Sequence, residues 1–72
     1  MTNGKLLEKK IQQSGLKKGF IAEKLGVSTT TLTALINNNA EFKASQIVAM
    51  CNVLNIHDDA EIKAIFFAHV GA

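Results

Sequence analysis

The chain has 72 residues, of which 47% are hydrophobic, and it contains no proline, tryptophan or tyrosine. A chain of this length buries only about 60% of the surface that it exposes when unfolded, which excludes a second domain and a deep enclosed active site. No apolar run approaches the roughly 18–20 residues of a membrane span, and the opening MTNGKLLEKK lacks the apolar segment of a signal peptide. We therefore expect a cytoplasmic protein without a membrane anchor.

The net charge of +2 is small, but the charges are unevenly distributed along the chain. Residues 1–40 contain six lysines and two glutamates, a net charge of +4. Residues 41–72 contain two lysines and four carboxylates, a net charge of −2. The two halves therefore attract different partners, although an ordinary solvated surface is the simpler interpretation of the acidic half alone.

The first two helices are predicted at residues 4–14 and 17–25 from the spacing of their apolar residues. Leu7 and Ile11 lie four residues apart on the inner face of the first helix. Gly15 follows its last residue, where a left-handed turn is needed and glycine tolerates it. The second helix has the same apolar spacing and ends before another glycine.

The third helix is predicted at residues 28–37, in the stretch STTTLTALIN. Ser28 fits the N-cap position, because its hydroxyl can accept a hydrogen bond from a backbone N–H of the first turn. Val27 and Leu32 are spaced to pack against each other around that cap. The asparagine run at residues 37–39 ends the helix, because asparagine tolerates the left-handed region.

The last two helices are predicted at residues 44–54 and 58–69. Asp58 and Glu61 have the spacing of a capping box at the start of the fifth helix. No segment alternates between apolar and polar residues over a useful length, so no strand is expected. The sequence predicts one all-α domain of five helices over residues 1–72.

A helix-turn-helix is predicted at residues 17–37, which read KKGFIAEKLGVSTTTLTALIN. Ala22 lies where two helices that cross at a steep angle need a small residue, and Gly26 supplies the turn between them. In this arrangement the second helix presents its outer face to the major groove of DNA.

The stretch GFIAEKLGVSTTTLTALINN resembles the helix-turn-helix of the phage repressor and Cro class, in which alanine, glycine and serine recur at these places. The resemblance continues through NNNAEFKASQIVAMCNVLNI and EIKAIFFA. These segments are similar to small Cro-like regulators of temperate phages of Gram-positive bacteria, including modulators of repression. The resemblance implies a compact five-helix DNA-binding domain that regulates the phage switch between lysogeny and lytic growth.

The resemblance also implies which residues meet DNA. Threonine can place hydroxyl and methyl groups at base edges, and asparagine can bond adenine or phosphate. The base-facing residues by position are Thr29, Thr30, Thr33 and Ala34. The residues expected near the phosphates are Lys17, Lys18, Ser28, Thr31, Asn37, Asn38, Asn39 and Lys43, with Lys5 and Lys9 as further cations.

The predicted recognition helix lacks the residues that usually discriminate between bases. The segment from Leu25 to Ala40 contains no charged residue and no glutamine. Bidentate contacts of arginine with guanine or of glutamine with adenine each discriminate by about 1–3 kcal/mol. We therefore predict weak DNA binding with limited base discrimination and a shallow salt dependence.

Resemblance to modulators of repression implies a second partner, the DNA-binding domain of a phage CI-type repressor. An uncharged helix surface loses its water at lower cost than a charged one, so the third helix suits a protein interface as well as a groove. Asp58, Asp59 and Glu61 are the candidate repressor contacts, since they could face its basic DNA-reading surface. A helix N-terminus that favours negative charge explains Asp58 and Glu61 without a partner.

Two other functions are compatible with the sequence. One is an autonomous, dimeric Cro-like repressor that binds its operator without help. The other is a protein-interaction or oligomerisation module without DNA binding, which uses the end IFFAHV. Phe66 and Phe67 point about 100° apart on a helix, so one of them either meets a partner or covers the base of the first helix. No dimerisation element is evident, and we expect a monomer or a weak homodimer.

Catalysis and cofactor binding are not expected. No nucleophile–base motif and no glycine-rich phosphate loop occurs in the chain. Cys51 has His57 and His69 as potential metal co-ligands, but the three lack the paired spacing of a metal site. Cys51 is expected to be a small core residue on the fourth helix.

Overall fold

Five α-helices joined by short turns make up the computed structural model, which describes residues 1–68. The helices are α1 (Gly4–Ser14), α2 (Lys18–Leu25), α3 (Thr29–Ile36), α4 (Ala44–Leu54) and α5 (Asp59–Phe66). Within these 68 residues there is no strand, and the predicted all-α fold of five helices is confirmed. None of the five helices has the length and apolar character that crossing a membrane requires.

The helix ends are set by local capping bonds. Asn3 caps α1 by accepting a hydrogen bond from the Leu6 N–H at 3.1 Å. Ser28 caps α3 in the predicted way, accepting from the Thr31 N–H at 3.1 Å. Gly26 ends α2 with φ 74°, in the left-handed region where a side chain would be strained.

Three helices, α2, α3 and α5, begin one residue later than predicted, because the residues expected to open them are caps. Lys17 precedes α2 and Ser28 precedes α3, both with extended backbone. At the other end of α3, Asn37 is the C-cap rather than the last helical residue. An N-cap residue has non-helical backbone angles, so it lies outside the helix that it starts.

The fifth helix is shorter than the predicted range of residues 58–69. Asp58 is the N-cap, and the helix ends at Phe66, followed by Phe67 with φ −123°. Phe66 is buried, whereas Phe67 is 59% exposed, so the helix ends once its apolar face has reached the core. The predicted end at His69 lies outside the described residues.

Each helix contributes at least one fully buried side chain to the interior. Leu7, Ile21, Leu32, Met50 and Ile65 come from α1 to α5 in that order, and each is at most 1% exposed. Burying a side chain of this size stabilises a fold by about 1.5–3 kcal/mol. The core therefore holds α3 in a fixed position relative to all four other helices.

An extended segment ahead of α1 ties the end of α3 to α5. The Thr2 N–H donates to Asn38 Oδ1 at 2.9 Å, and Asn38 Nδ2 donates to the Thr2 carbonyl at 2.7 Å. The Asn3 N–H donates to the Ile65 carbonyl at 2.6 Å. Asn38 has φ 62°, a left-handed conformation that asparagine adopts more readily than most residues.

Replacing Asn38 with alanine should destabilise the protein by removing its two hydrogen bonds to Thr2. We expect Asn38→Ala to lower the free energy of unfolding by about 1–2 kcal/mol, because it leaves two backbone groups of the buried Thr2 without their partners. Urea denaturation followed by circular dichroism measures the loss. Asn39→Ala is the matched control, because Asn39 is also exposed but its side chain makes no hydrogen bond within the described residues, and it should change stability by less than about 0.5 kcal/mol. An equal loss in both variants would contradict the role of Asn38.

Candidate nucleic-acid interface

The turn between α2 and α3 is closed by backbone hydrogen bonds to the end of α2. The Gly26 N–H donates to the Glu23 carbonyl at 3.1 Å, and the Val27 N–H donates to the Ala22 carbonyl at 3.0 Å. Ala22 is buried, so α2 and α3 approach closely where the sequence predicts a small residue. The two helices and their turn form a helix-turn-helix with α3 as its second helix.

The predicted base-facing residues lie on the outer side of α3. Thr29, Thr30 and Thr33 are exposed, and Ala34 is half-buried. The Thr33 hydroxyl donates to the Thr29 carbonyl at 3.0 Å, so its hydrogen is already used within the helix. The outer surface of α3 is formed by short, uncharged side chains, and contact of these residues with bases stays a prediction.

Three of the residues predicted near phosphates already use their side chains inside the protein. Ser28 accepts from the Thr31 backbone, and its hydroxyl donates to Thr31 Oγ1 at 3.0 Å. Asn38 bonds Thr2 through both ends of its amide. These side chains must give up or share internal bonds to meet a phosphate. The other uncharged and basic residues of the set are exposed: Lys17, Asn37, Asn39 and Lys43.

Lys18, the remaining residue of that set, pairs with a carboxylate of α1. Its Nζ lies 2.9 Å from Glu8 Oε1 and 3.1 Å from Oε2. Both side chains are close to half exposed, at 40% for Lys18 and 46% for Glu8. An ion pair as exposed as this one contributes about 0–1 kcal/mol to stability, so a phosphate can compete for the lysine.

Comparison with known families identifies this arrangement. A family model described as Helix-turn-helix, HTH_3, matches residues 7–60, which include α2, α3 and α4 entirely. The chain belongs to this helix-turn-helix family. It is a Cro-like DNA-binding transcription regulator, as the sequence predicts. Comparison with curated proteins and with solved structures gave no significant match.

The acidic residues at the start of α5 have different roles in this helix-turn-helix regulator. Asp58 accepts from the Glu61 N–H at 3.1 Å and caps the helix. The Glu61 carboxylate lies 2.5 Å from Lys10 Nζ on α1. Asp59 is exposed in the first turn of α5. Asp58 and Glu61 thus have structural roles that require no partner, and Asp59 is the strongest candidate for an intermolecular contact.

Sequence reasoning missed an apolar side chain on the outer side of the helix-turn-helix. Phe20 on α2 is 45% exposed, and Lys24 Nζ lies 5.3 Å from the centre of its ring. A cation above an aromatic face is attracted to it and covers part of its apolar surface. The signal was present in the sequence, because Phe20 precedes the buried Ile21, and adjacent helical residues point in different directions.

The cysteine of the regulator lies apart from this surface. Cys51 is a free, buried thiol on α4. Burial raises the pKa of the Cys51 thiol above its usual value, because a thiolate loses hydration there, so it stays protonated at neutral pH. Among residues 1–68, no three His, Cys, Asp or Glu side chains lie together in a way that could hold a metal ion.

Proposed function

We propose that this helix-turn-helix protein regulates the lysogeny switch of a temperate phage in the cytoplasm of its bacterial host. In this proposal it binds double-stranded DNA weakly and acts through direct contact with the DNA-binding domain of a CI-type repressor, as a modulator of repression or antirepressor. The uncharged outer face of α3 is the main observation that supports this function over autonomous operator binding.

Weak DNA binding is supported by the side chains available on the helix-turn-helix. The exposed residues Thr29, Thr30 and Thr33 are short and cannot form the bidentate contacts that discriminate best between bases. Lys18 is already paired with Glu8, which competes with a phosphate for it. Both features reduce the number of strong contacts, so we expect affinities in the range of non-specific binding, about 10⁻⁴–10⁻⁶ M.

Contact with a repressor is supported by the low cost of removing water from α3. Unpaired charges are expensive to bury, and the outer face of α3 has none, so it can be covered by another protein without a compensating ion pair. Asp59 on α5 is exposed, and within the described residues it neither caps a helix nor forms an ion pair, so it offers a negative charge to a basic DNA-reading surface. We propose that the protein makes these contacts as a monomer or a weak homodimer.

Two titrations test this function. Mobility shift with operator duplexes and with duplexes of unrelated sequence measures the affinity for DNA at physiological salt. Calorimetry with the DNA-binding domain of the cognate repressor, with and without operator DNA, measures the protein contact. We expect weak DNA binding and measurable repressor binding. If this protein and operator DNA compete for the repressor domain, the protein is an antirepressor. If all three form a ternary complex, it binds together with the repressor on DNA. Nanomolar, sequence-specific DNA binding by the protein alone would instead establish the autonomous Cro-like repressor.

Charge reversal at Asp59 tests the acidic contact separately. We expect Asp59→Lys to weaken repressor binding by about 3- to 10-fold, mainly through slower association, because charges at the rim of an interface steer the encounter. Glu41→Lys makes the same change in net charge at another exposed residue and should have less effect. Glu61 is unsuitable for this purpose, since its reversal would also break the pair with Lys10. Unchanged repressor affinity of Asp59→Lys would remove the acidic contact from the proposal.

A further inference from the structure

Glu8 lies among lysines on α1, where this helix contacts the start of the helix-turn-helix. It is the single acidic residue of α1, within the sequence GKLLEKKIQQS. Glu8, Lys5 and Lys9 line an open groove of about 670 Å³ that also includes Asn37 at the end of α3. On its other side, the Glu8 carboxylate contacts Lys18 through both oxygens. A negative charge therefore lies between the lysines of α1 and the first lysine of α2.

The pair between Glu8 and Lys18 does little to hold the fold together. Both side chains are largely in contact with water, and pairs of that kind stabilise proteins only slightly. The α1 helix is already fixed by the buried Leu7 and Ile11. The pair therefore has a larger effect on the electrostatic surface than on packing.

We propose that Glu8 is an intramolecular competitor for the DNA phosphate at Lys18 and so lowers the DNA affinity of the protein. This inference rests on the proposed weak DNA binding by the helix-turn-helix. A phosphate that approaches Lys18 competes with the Glu8 carboxylate for the same ammonium, and a carboxylate that is displaced takes up a cation from solution. That uptake offsets the counterion that the DNA releases, and counterion release is the source of the salt-dependent affinity. Glu8 thus cancels the contribution of one lysine without occupying the DNA-binding surface itself.

A double-mutant cycle on intact protein tests this role. The variants are Glu8→Gln, Lys18→Gln and the combination of both, and Glu61→Gln is the matched control. Glutamine keeps the shape and the helix propensity of glutamate. Glu61 also belongs to an ion pair with α1, but its partner is Lys10. Fluorescence anisotropy with a duplex of random sequence, between about 50 and 200 mM salt, gives affinity and salt slope.

Glu8→Gln should bind about 3- to 5-fold more tightly than the unmodified protein at the lowest salt, with a slope of log affinity against log salt steeper by about 0.9. Glu61→Gln should show less than half of that gain. In the Lys18→Gln background, Glu8→Gln should add no more than Glu61→Gln does, because the lysine that Glu8 neutralises is then absent. Urea denaturation of each variant should give an unchanged midpoint.

Three results would overturn the inference, and they separate it from the proposed function. An equal gain from Glu8→Gln with and without Lys18 would mean that Glu8 acts through the general field of the protein. Equal affinities and slopes of Glu8→Gln and unmodified protein, both binding DNA, would remove the role of Glu8 and leave weak DNA binding in place. Failure of every variant to bind duplex at the lowest salt would remove DNA binding from the proposed function and the role of Glu8 with it.

Discussion

Gly4→Ala is expected to destabilise the protein by about 3 kcal/mol, at the upper end of the range for inserting a methyl group into a packed site. A Cβ at Gly4 would lie 2.5 Å from the carbonyl oxygen of Ile36. Ile36 is buried at the end of α3, and its backbone cannot rotate away as a side chain would. The first helix must therefore move away from the third. This shift also disturbs the hydrogen bonds of Asn3 to Leu6 in α1 and to Ile65 in α5.

The matched control for this prediction is a second glycine in a helix. A Cβ at Gly19 in α2 would meet no atom within 4 Å, so Gly19→Ala should stabilise the protein by about 0.5–1 kcal/mol through reduced entropy of the unfolded chain. Urea denaturation followed by far-ultraviolet circular dichroism measures both. A small domain has a stability of only about 0.05–0.15 kcal/mol per residue, so Gly4→Ala should unfold a measurable fraction of the protein. If Gly4→Ala and Gly19→Ala changed the free energy of unfolding by the same amount and in the same direction, the close approach of α1 to α3 would be refuted.

Thr30→Arg is expected to raise the affinity for DNA by about 10-fold or more. Thr30 is exposed on the outer face of α3, and an arginine there can form the bidentate contact with guanine that the natural helix lacks, worth about 1–3 kcal/mol. The added cation should also steepen the salt slope by about 0.9 if it reaches a phosphate. Selection from a pool of randomised duplexes should then yield sites that share a guanine.

Asn52→Arg is the control for the added charge. Asn52 is exposed near the C-terminal end of α4, where a cation is favoured by the helix dipole. It should raise DNA affinity only through net charge and should select no base. Equal gains from Thr30→Arg and Asn52→Arg, or selection without a preferred base, would show that α3 does not enter the groove in the expected orientation.

Local signals in the sequence were sufficient for most of the fold. The predicted ranges 4–14 and 44–54 match α1 and α4 residue for residue, and the Ser28 cap was placed correctly. The expectation that Phe66 and Phe67 do not both face the core is also confirmed, with the first buried and the second exposed, although Phe67 lies just after the end of α5. Apolar spacing and caps act over a few residues, so they can be interpreted without knowing how the helices pack.

The charged and polar contacts of the candidate site could not be predicted in the same way. Lys18 and Glu8 lie ten residues apart on different helices, and Asn38 and Thr2 lie 36 apart. The resemblance to the repressor and Cro class implied that both Lys18 and Asn38 lie near phosphates, because of their positions in the motif. Which internal partner occupies such a side chain depends on the packing of the helices, and the surface chemistry of one segment does not reveal it.

The core to which all five helices contribute has a consequence for how this protein meets its partners. Leu32 of α3 is packed with Leu7, Ile21 and Met50 in one buried cluster, so tilting, sliding or unwinding α3 at an interface would disturb side chains of three other helices. Association is therefore a docking of preformed shapes. Any bending, groove widening or loop rearrangement that improves the fit has to occur in the DNA or in the repressor.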